Sequence, residues 1–128
     1  LALELRHRHM DLGLEHIKPE IRLFIRSDGG DLPAGLSAMD CIAGLTSVKI
    51  RTIADGVCAS AATFILLGGD RRVILPNGYV LIHQISDNFW GAFQDLKDEM
   101  RQCKRLMRHI KKIYLRETSV PIEKLNKM

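Results

Sequence analysis

Val48-Lys49-Ile50-Arg51-Thr52-Ile53-Ala54-Asp55-Gly56-Val57-Cys58-Ala59-Ser60-Ala61-Ala62-Thr63-Phe64-Ile65-Leu66-Leu67 reads as a strand, a tight turn and a helix. Val48 to Ile53 has the β-branched composition of a strand. Ser60 to Leu67 is a helix that opens on small residues and is stopped by Gly68-Gly69. A serine thus stands at a helix mouth, where backbone N–H groups lack intrahelical partners and the helix dipole is positive.

The flanking segments repeat the alternation. Upstream, Ile21 to Ile25 is a strand, Ser27-Asp28-Gly29-Gly30-Asp31 a sharp turn, and Pro33 to Leu45 a helix with Leu36, Met39, Ile42 and Ala43 facing inward. Residues 1–17 are expected to be helical, with Leu3, Met10, Leu14 and Ile17 on one face and Pro19 closing the segment. Downstream, Arg71 to Leu75 and Tyr79 to His83 are strands around the turn Pro76-Asn77-Gly78. A loop from Ile85 to Ala92 carries the lone Trp90. A long amphipathic helix runs from Phe93 to about Glu117, with Leu96, Met100, Cys103, Met107, Ile110 and Tyr114 at spacings of three and four. A short helix starts at Pro121. This order predicts one α/β domain over residues 1–128, with a mostly parallel sheet and flanking helices. Sites in open α/β sheets form at the carboxyl ends of strands, and Gly29-Gly30, Ser60 and His83 all follow such ends.

Composition narrows the class. Of 128 residues, 46% are hydrophobic and 27% charged, enough apolar material for a core. The longest uncharged stretches, such as Gly56 to Gly69, are shorter than the ~20 residues that span a bilayer, so no membrane association is expected. Cys41, Cys58 and Cys103 are scattered, without metal-ligand spacing, and read as reduced, buried residues of a protein of the cytoplasm. Cys58 is the rival nucleophile, and a small core residue is the plainer reading. The net charge of +4 is concentrated from Arg101 to Arg116. Without interleaved aromatics other than Tyr114, that segment is a solvated helix face rather than a nucleic-acid contact. No metal or other cofactor is expected. His7 and His9 are a solvated pair. The first residue is Leu1 rather than Met and the chain stops at Met128 within the last helix, so both ends are expected to be cut.

Acyl transfer needs a nucleophile, a base and donors for an oxyanion. Ser60 is the candidate nucleophile and His83 the candidate base, since an imidazole with a pKa near ~6.5 takes a proton at neutral pH. The N–H groups of Ala61 and Gly30 are candidate oxyanion donors, each worth roughly 3–4 kcal/mol in such reactions.

Three segments resemble the proteolytic subunit of the Clp protease, the self-compartmentalised serine peptidase. Ile21-Arg22-Leu23-Phe24-Ile25-Arg26-Ser27-Asp28-Gly29-Gly30 is similar to its strand and oxyanion turn. Gly56-Val57-Cys58-Ala59-Ser60-Ala61 is similar to its nucleophile motif. Leu75-Pro76-Asn77-Gly78-Tyr79-Val80-Leu81-Ile82-His83-Gln84 is similar to its histidine motif and is the most specific of the three. The resemblance implies the fold shared by that family and the crotonases, with the long helix as a protruding handle between stacked rings. It implies an ATP-dependent serine endopeptidase subunit acting on unfolded polypeptides in a ring-shaped chamber. Ser60 and His83 would be catalytic and Gly30 and Ala61 the oxyanion hole. Gly30, Asp31, Leu32, Ile85, Ser86 and Asp87 would hold the peptide as an added strand. Expected partners are further copies of the chain in stacked heptameric rings and a Clp-family ATPase unfoldase. The compartment would be the cytoplasm, or an equivalent reducing one in an organelle or infected host.

The pattern departs from the family at Asp28, Ala61 and Ala62, where Pro, Met and Gly are usual. The triad acid would lie beyond Met128, and loss of such an acid costs roughly 10⁴-fold in kcat. Two alternatives follow: a catalytically inactive structural subunit of a mixed ring, and a crotonase-type acyl-CoA enzyme. The long helix with Met100, Leu106 and Met107 gives assembly a physical motive of its own.

Overall fold

In the computed structural model, residues 1–84 and 93–127 are described. The elements in chain order are α1 (Ala2–Asp11), β1 (Glu20–Ser27), α2 (Leu32–Ala43), β2 (Lys49–Ala59), α3 (Ala62–Leu67), β3 (Arg71–Ile74), β4 (Tyr79–Leu81), α4 (Phe93–Glu117) and α5 (Ile122–Leu125). The chain divides into two units, Leu1–Ile82 and His83–Met128.

The first unit is a parallel sheet with helices, as the alternation predicts. β2 is central: β1 pairs with one side, and β3 and β4 pair in succession with the other. Pro76-Asn77-Gly78 therefore does not reverse the chain. It is a step, closed by the Gly78 N–H donating to the Leu75 carbonyl at 2.7 Å, after which β4 resumes parallel to β2. Gly78 is required there because a Cβ would lie 2.6 Å from the Ala54 carbonyl oxygen.

Alternation along β1 and β2 sends Ile25, Ala54 and Cys58 into a core with Ala62 and Leu66 of α3, joined by Leu23, Ile65 and Val80. Phe64 is 1% exposed, and burial of such a side chain stabilises by about 1.5–3 kcal/mol. Thr52, wholly buried, donates its hydroxyl to the Leu66 carbonyl at 2.7 Å and so ties β2 to the last turn of α3.

Several expectations are corrected. The first helix ends at Asp11, not at residue 17. Gly13 takes φ +70°, and the Leu14 and Gly13 N–H groups donate to the His9 and Met10 carbonyls, a glycine-dependent helix stop. Leu3, Met10 and Ile17 are exposed. The segment after α1 is held instead by Arg6, which donates to the Glu15 and Ile17 carbonyls, with His9 Nδ1 3.2 Å from the Ile17 carbonyl oxygen. β2 continues through Gly56 to Ala59, so α3 begins two residues later than expected. Ala43 is exposed. Of the cysteines, Cys58 alone is buried; Cys41 is exposed and Cys103 half-buried.

In the second unit, α4 has the bounds that the periodicity predicts. Ile110, Ile113 and Tyr114 are its buried residues, whereas Met100 is 53% exposed. Thr118 closes the helix, donating its hydroxyl to the Tyr114 carbonyl at 2.6 Å.

Candidate active site

β1 and β2 deliver their carboxyl ends side by side, and the local sequence bends each one sharply. On β1, the Ser27 hydroxyl accepts the Gly29 N–H at 3.1 Å, and Gly29 and Gly30 take φ +108° and +142°. Only glycine adopts such angles at little cost. Asp31 then caps α2, its carboxylate accepting the Ala34 N–H at 2.8 Å. The Asp31 side chain is therefore spent on the helix, and its backbone is what remains for other partners.

β2 carries extra residues opposite β1 between Ala54 and Cys58, a bulge centred on Gly56 at φ +94°. Arg26 braces it. Its guanidinium donates to the Asp55 carbonyl and to the Asp55 carboxylate, both at 2.9 Å, while its stem lies against Gly56. Bulges re-aim a strand, and this one precedes the turn that presents Ser60.

Ser60 has φ +53°, the one non-glycine residue with positive φ among the described residues. For an L residue this conformation costs about 1–2 kcal/mol. It persists because Ser60 is pinned on both sides. Its N–H donates to the Leu81 carbonyl at 3.0 Å, and its carbonyl accepts the Thr63 N–H at 3.0 Å and the Thr63 hydroxyl at 2.6 Å. A half-buried serine on a strained strand-to-helix turn is how nucleophilic serines are displayed in α/β-hydrolase folds. α3 has six residues, so the donors at its mouth are local N–H groups rather than the end of a long dipole.

The two bends meet. A Cβ on Gly29 would lie 2.6 Å from Ser60 Cβ, 2.8 Å from the Ala59 carbonyl oxygen and 3.1 Å from the Ala61 nitrogen. Gly35 of α2 comes equally close to Ala61, with 2.7 Å from its would-be Cβ to the Ala61 carbonyl oxygen. Gly35 does not stand out by motif chemistry. Its signal is a glycine where a helix must touch another backbone. Among the described residues, the N–H groups of Gly30 and Ala61 have no acceptor. Both residues line a cleft of about 330 Å³ with Gly35, Ala38, Ala62 and Ile65. Ser27 and Asp31 line it too, and the rest of the wall is small and apolar.

Cys58 is wholly buried, its thiol 3.5 Å from the Ala62 carbonyl oxygen, and burial pushes that thiol up from its ordinary value of 9.0. A protonated, inaccessible thiol is no nucleophile, which leaves Ser60 as the candidate.

The first unit thus brings together Ser60, Ala61, Gly30 and Asp31, with Leu32 opening α2. His83 opens the second unit, two residues past the end of β4, and is exposed. Its Nδ1 lies 2.6 Å from the Gln84 carbonyl oxygen. A carbonyl only accepts, so Nδ1 carries the proton and the Nε2 lone pair is left to act as a base. Ile85, Ser86 and Asp87 lie outside the described residues.

A family model described as Clp protease matches residues 9–128. The chain is 36% identical over 124 residues to an ATP-dependent Clp protease proteolytic subunit of Ostreococcus tauri, across 95% of this chain and 62% of that protein. It is 31% identical over 106 residues to the subunit of the same name from Pleurastrum terricola, across 81% of this chain and 54% of that one. A solved ClpP1 point mutant from Listeria monocytogenes superposes with a TM-score of 0.74 at 26% identity, across 98% of this chain and 70% of that chain. The chain spans about 54% to 62% of the length of these curated relatives.

Proposed function

The chain belongs to the Clp protease family, and on that premise we propose that it is a serine endopeptidase subunit with Ser60 as nucleophile and His83 as general base. The observation that carries the reading is Ser60 held at φ +53° against the Gly29-Gly30 turn. Ser60 Oγ attacks the scissile carbonyl and its proton passes to His83 Nε2. The oxyanion is met by the N–H groups of Gly30 and Ala61. On collapse, the proton goes to the leaving amine and the acyl-enzyme is cleared by water. The substrate peptide lies extended along the backbone of Gly30, Asp31 and Leu32 and of Ile85, Ser86 and Asp87. Such backbone pairing accepts many sequences. The working form is an oligomeric ring, fed with unfolded polypeptide by a Clp-family ATPase, in a reducing compartment such as the cytoplasm.

The test is hydrolysis of short peptides by the full-length assembled protein. Ser60→Ala is expected to lower kcat by at least about 10³-fold. Unchanged hydrolysis in that variant would overturn the assignment.

A further inference from the structure

The amino ends of the strands, opposite the end that carries Ser60, hold a second cavity of about 520 Å³. Lys18, Lys49, Arg51 and Arg71 face it against Glu20 and Asp70, an excess of two positive charges. The register explains the gathering. Glu20 lies beside Lys49 on β1 and β2, and Arg51 beside Arg71 on β2 and β3.

Both carboxylates are already engaged. Glu20 accepts Arg51 Nη2 at 2.8 Å and Arg22 Nε at 3.3 Å. Asp70 accepts the Ile50 N–H at 2.7 Å. Three of the four cations are not. Among the described residues Lys18, Lys49 and Arg71 form no ion pair. Arg51 spends Nη2 on Glu20, and its Nη1 makes no hydrogen bond among the described residues. Guanidinium forks match tetrahedral oxyanions, and a lysine beside them adds a point charge.

We propose that this cavity is a binding site for a doubly charged oxyanion of the phosphate class, held by Lys49, Arg51 and Arg71. Lys18 closes the rim, and Leu45, 40% exposed, gives the same cavity an apolar flank. The site is separate from Ser60 and does not depend on the peptidase reading.

The experiment is calorimetric and thermal titration of the full-length protein with inorganic phosphate and with phenyl phosphate, at ionic strength held constant with sodium chloride. A saturable rise in melting temperature is expected, as for any ligand that binds the folded state alone. Arg51→Lys, which loses the guanidinium fork, and Lys49→Met, which loses a charge, should each weaken binding by about tenfold or more. Arg105→Gln, on the basic face of α4, should leave it unchanged. Tighter binding of phenyl phosphate would assign the site to an organic phosphate, and equal affinity to the free ion. A response no greater than that to chloride, or one that survives both cavity variants, would overturn the proposal.

Discussion

Gly29→Ala perturbs the point where the two bends of the site touch. The added methyl meets Ser60 Cβ at 2.6 Å and the Ala59 carbonyl oxygen at 2.8 Å. Neither atom is the yielding tip of a long side chain. Overpacking of this kind costs about 1–3 kcal/mol. The backbone angle of +108° adds about 1–2 kcal/mol for an L residue, so the total is about 2–5 kcal/mol. Gly30→Ala separates the two effects. Its φ of +142° is also positive, yet nothing lies within 4 Å of its would-be Cβ. That variant carries only the conformational cost. Urea unfolding of both variants and wild type gives the comparison, and Gly29→Ala should be the less stable by at least about 1 kcal/mol. Equal stabilities would refute the argument that Gly29 is glycine because Ser60 stands against it.

Ser60→Gly should raise stability by about 0.5–1 kcal/mol, the relief of the left-handed serine less the added freedom of the unfolded chain, and a matched denaturation curve would show it. Thr52→Val keeps the shape but strands the Leu66 carbonyl; a loss of about 1–3 kcal/mol is expected in the same assay. Desolvation pushes the Glu20 carboxyl up, but the Arg22 and Arg51 guanidiniums outweigh it and hold it below its ordinary 4.5. A depressed carboxylate stabilises the fold above its unfolded pKa, and that contribution is lost as pH falls below it. Glu20→Gln should therefore flatten the fall in melting temperature below about pH 4.5, and an unchanged acid limb would contradict the pairing.

Much of the fold was legible because strands and helices announce themselves by period. Ile21 to Ile25 and Phe93 to Glu117 are clear in this way, and their alternation implies a parallel sheet. The failures have local causes. The spacing of Leu14 and Ile17 fits a helix, but Gly13 stops it first, and a stop of that kind overrides a sparse apolar stripe. Pro76-Asn77-Gly78 carries turn chemistry, yet whether a turn reverses or merely steps depends on which strand waits beside it. That information lies in β2, some twenty residues away.

The site divides similarly. Ser60 and the Gly29-Gly30 turn stand out by residue type and position. The bracing of Ser60 by Thr63, the Arg26 clamp on the Gly56 bulge and the close approach of Gly35 to Ala61 are contacts between segments, and no local pattern encodes them. His83 is conspicuous in sequence, but its Gln84 partner is the backbone carbonyl of the next residue, a group that carries no sequence signal.

The central claim is that Ser60 is a nucleophile displayed by strain. Labelling the full-length assembled protein with a fluorophosphonate, followed by peptide mapping, tests it most directly. The account predicts a single stoichiometric adduct on Ser60, absent from Ser60→Ala. An unmodified Ser60 in protein shown to be folded and assembled would contradict it.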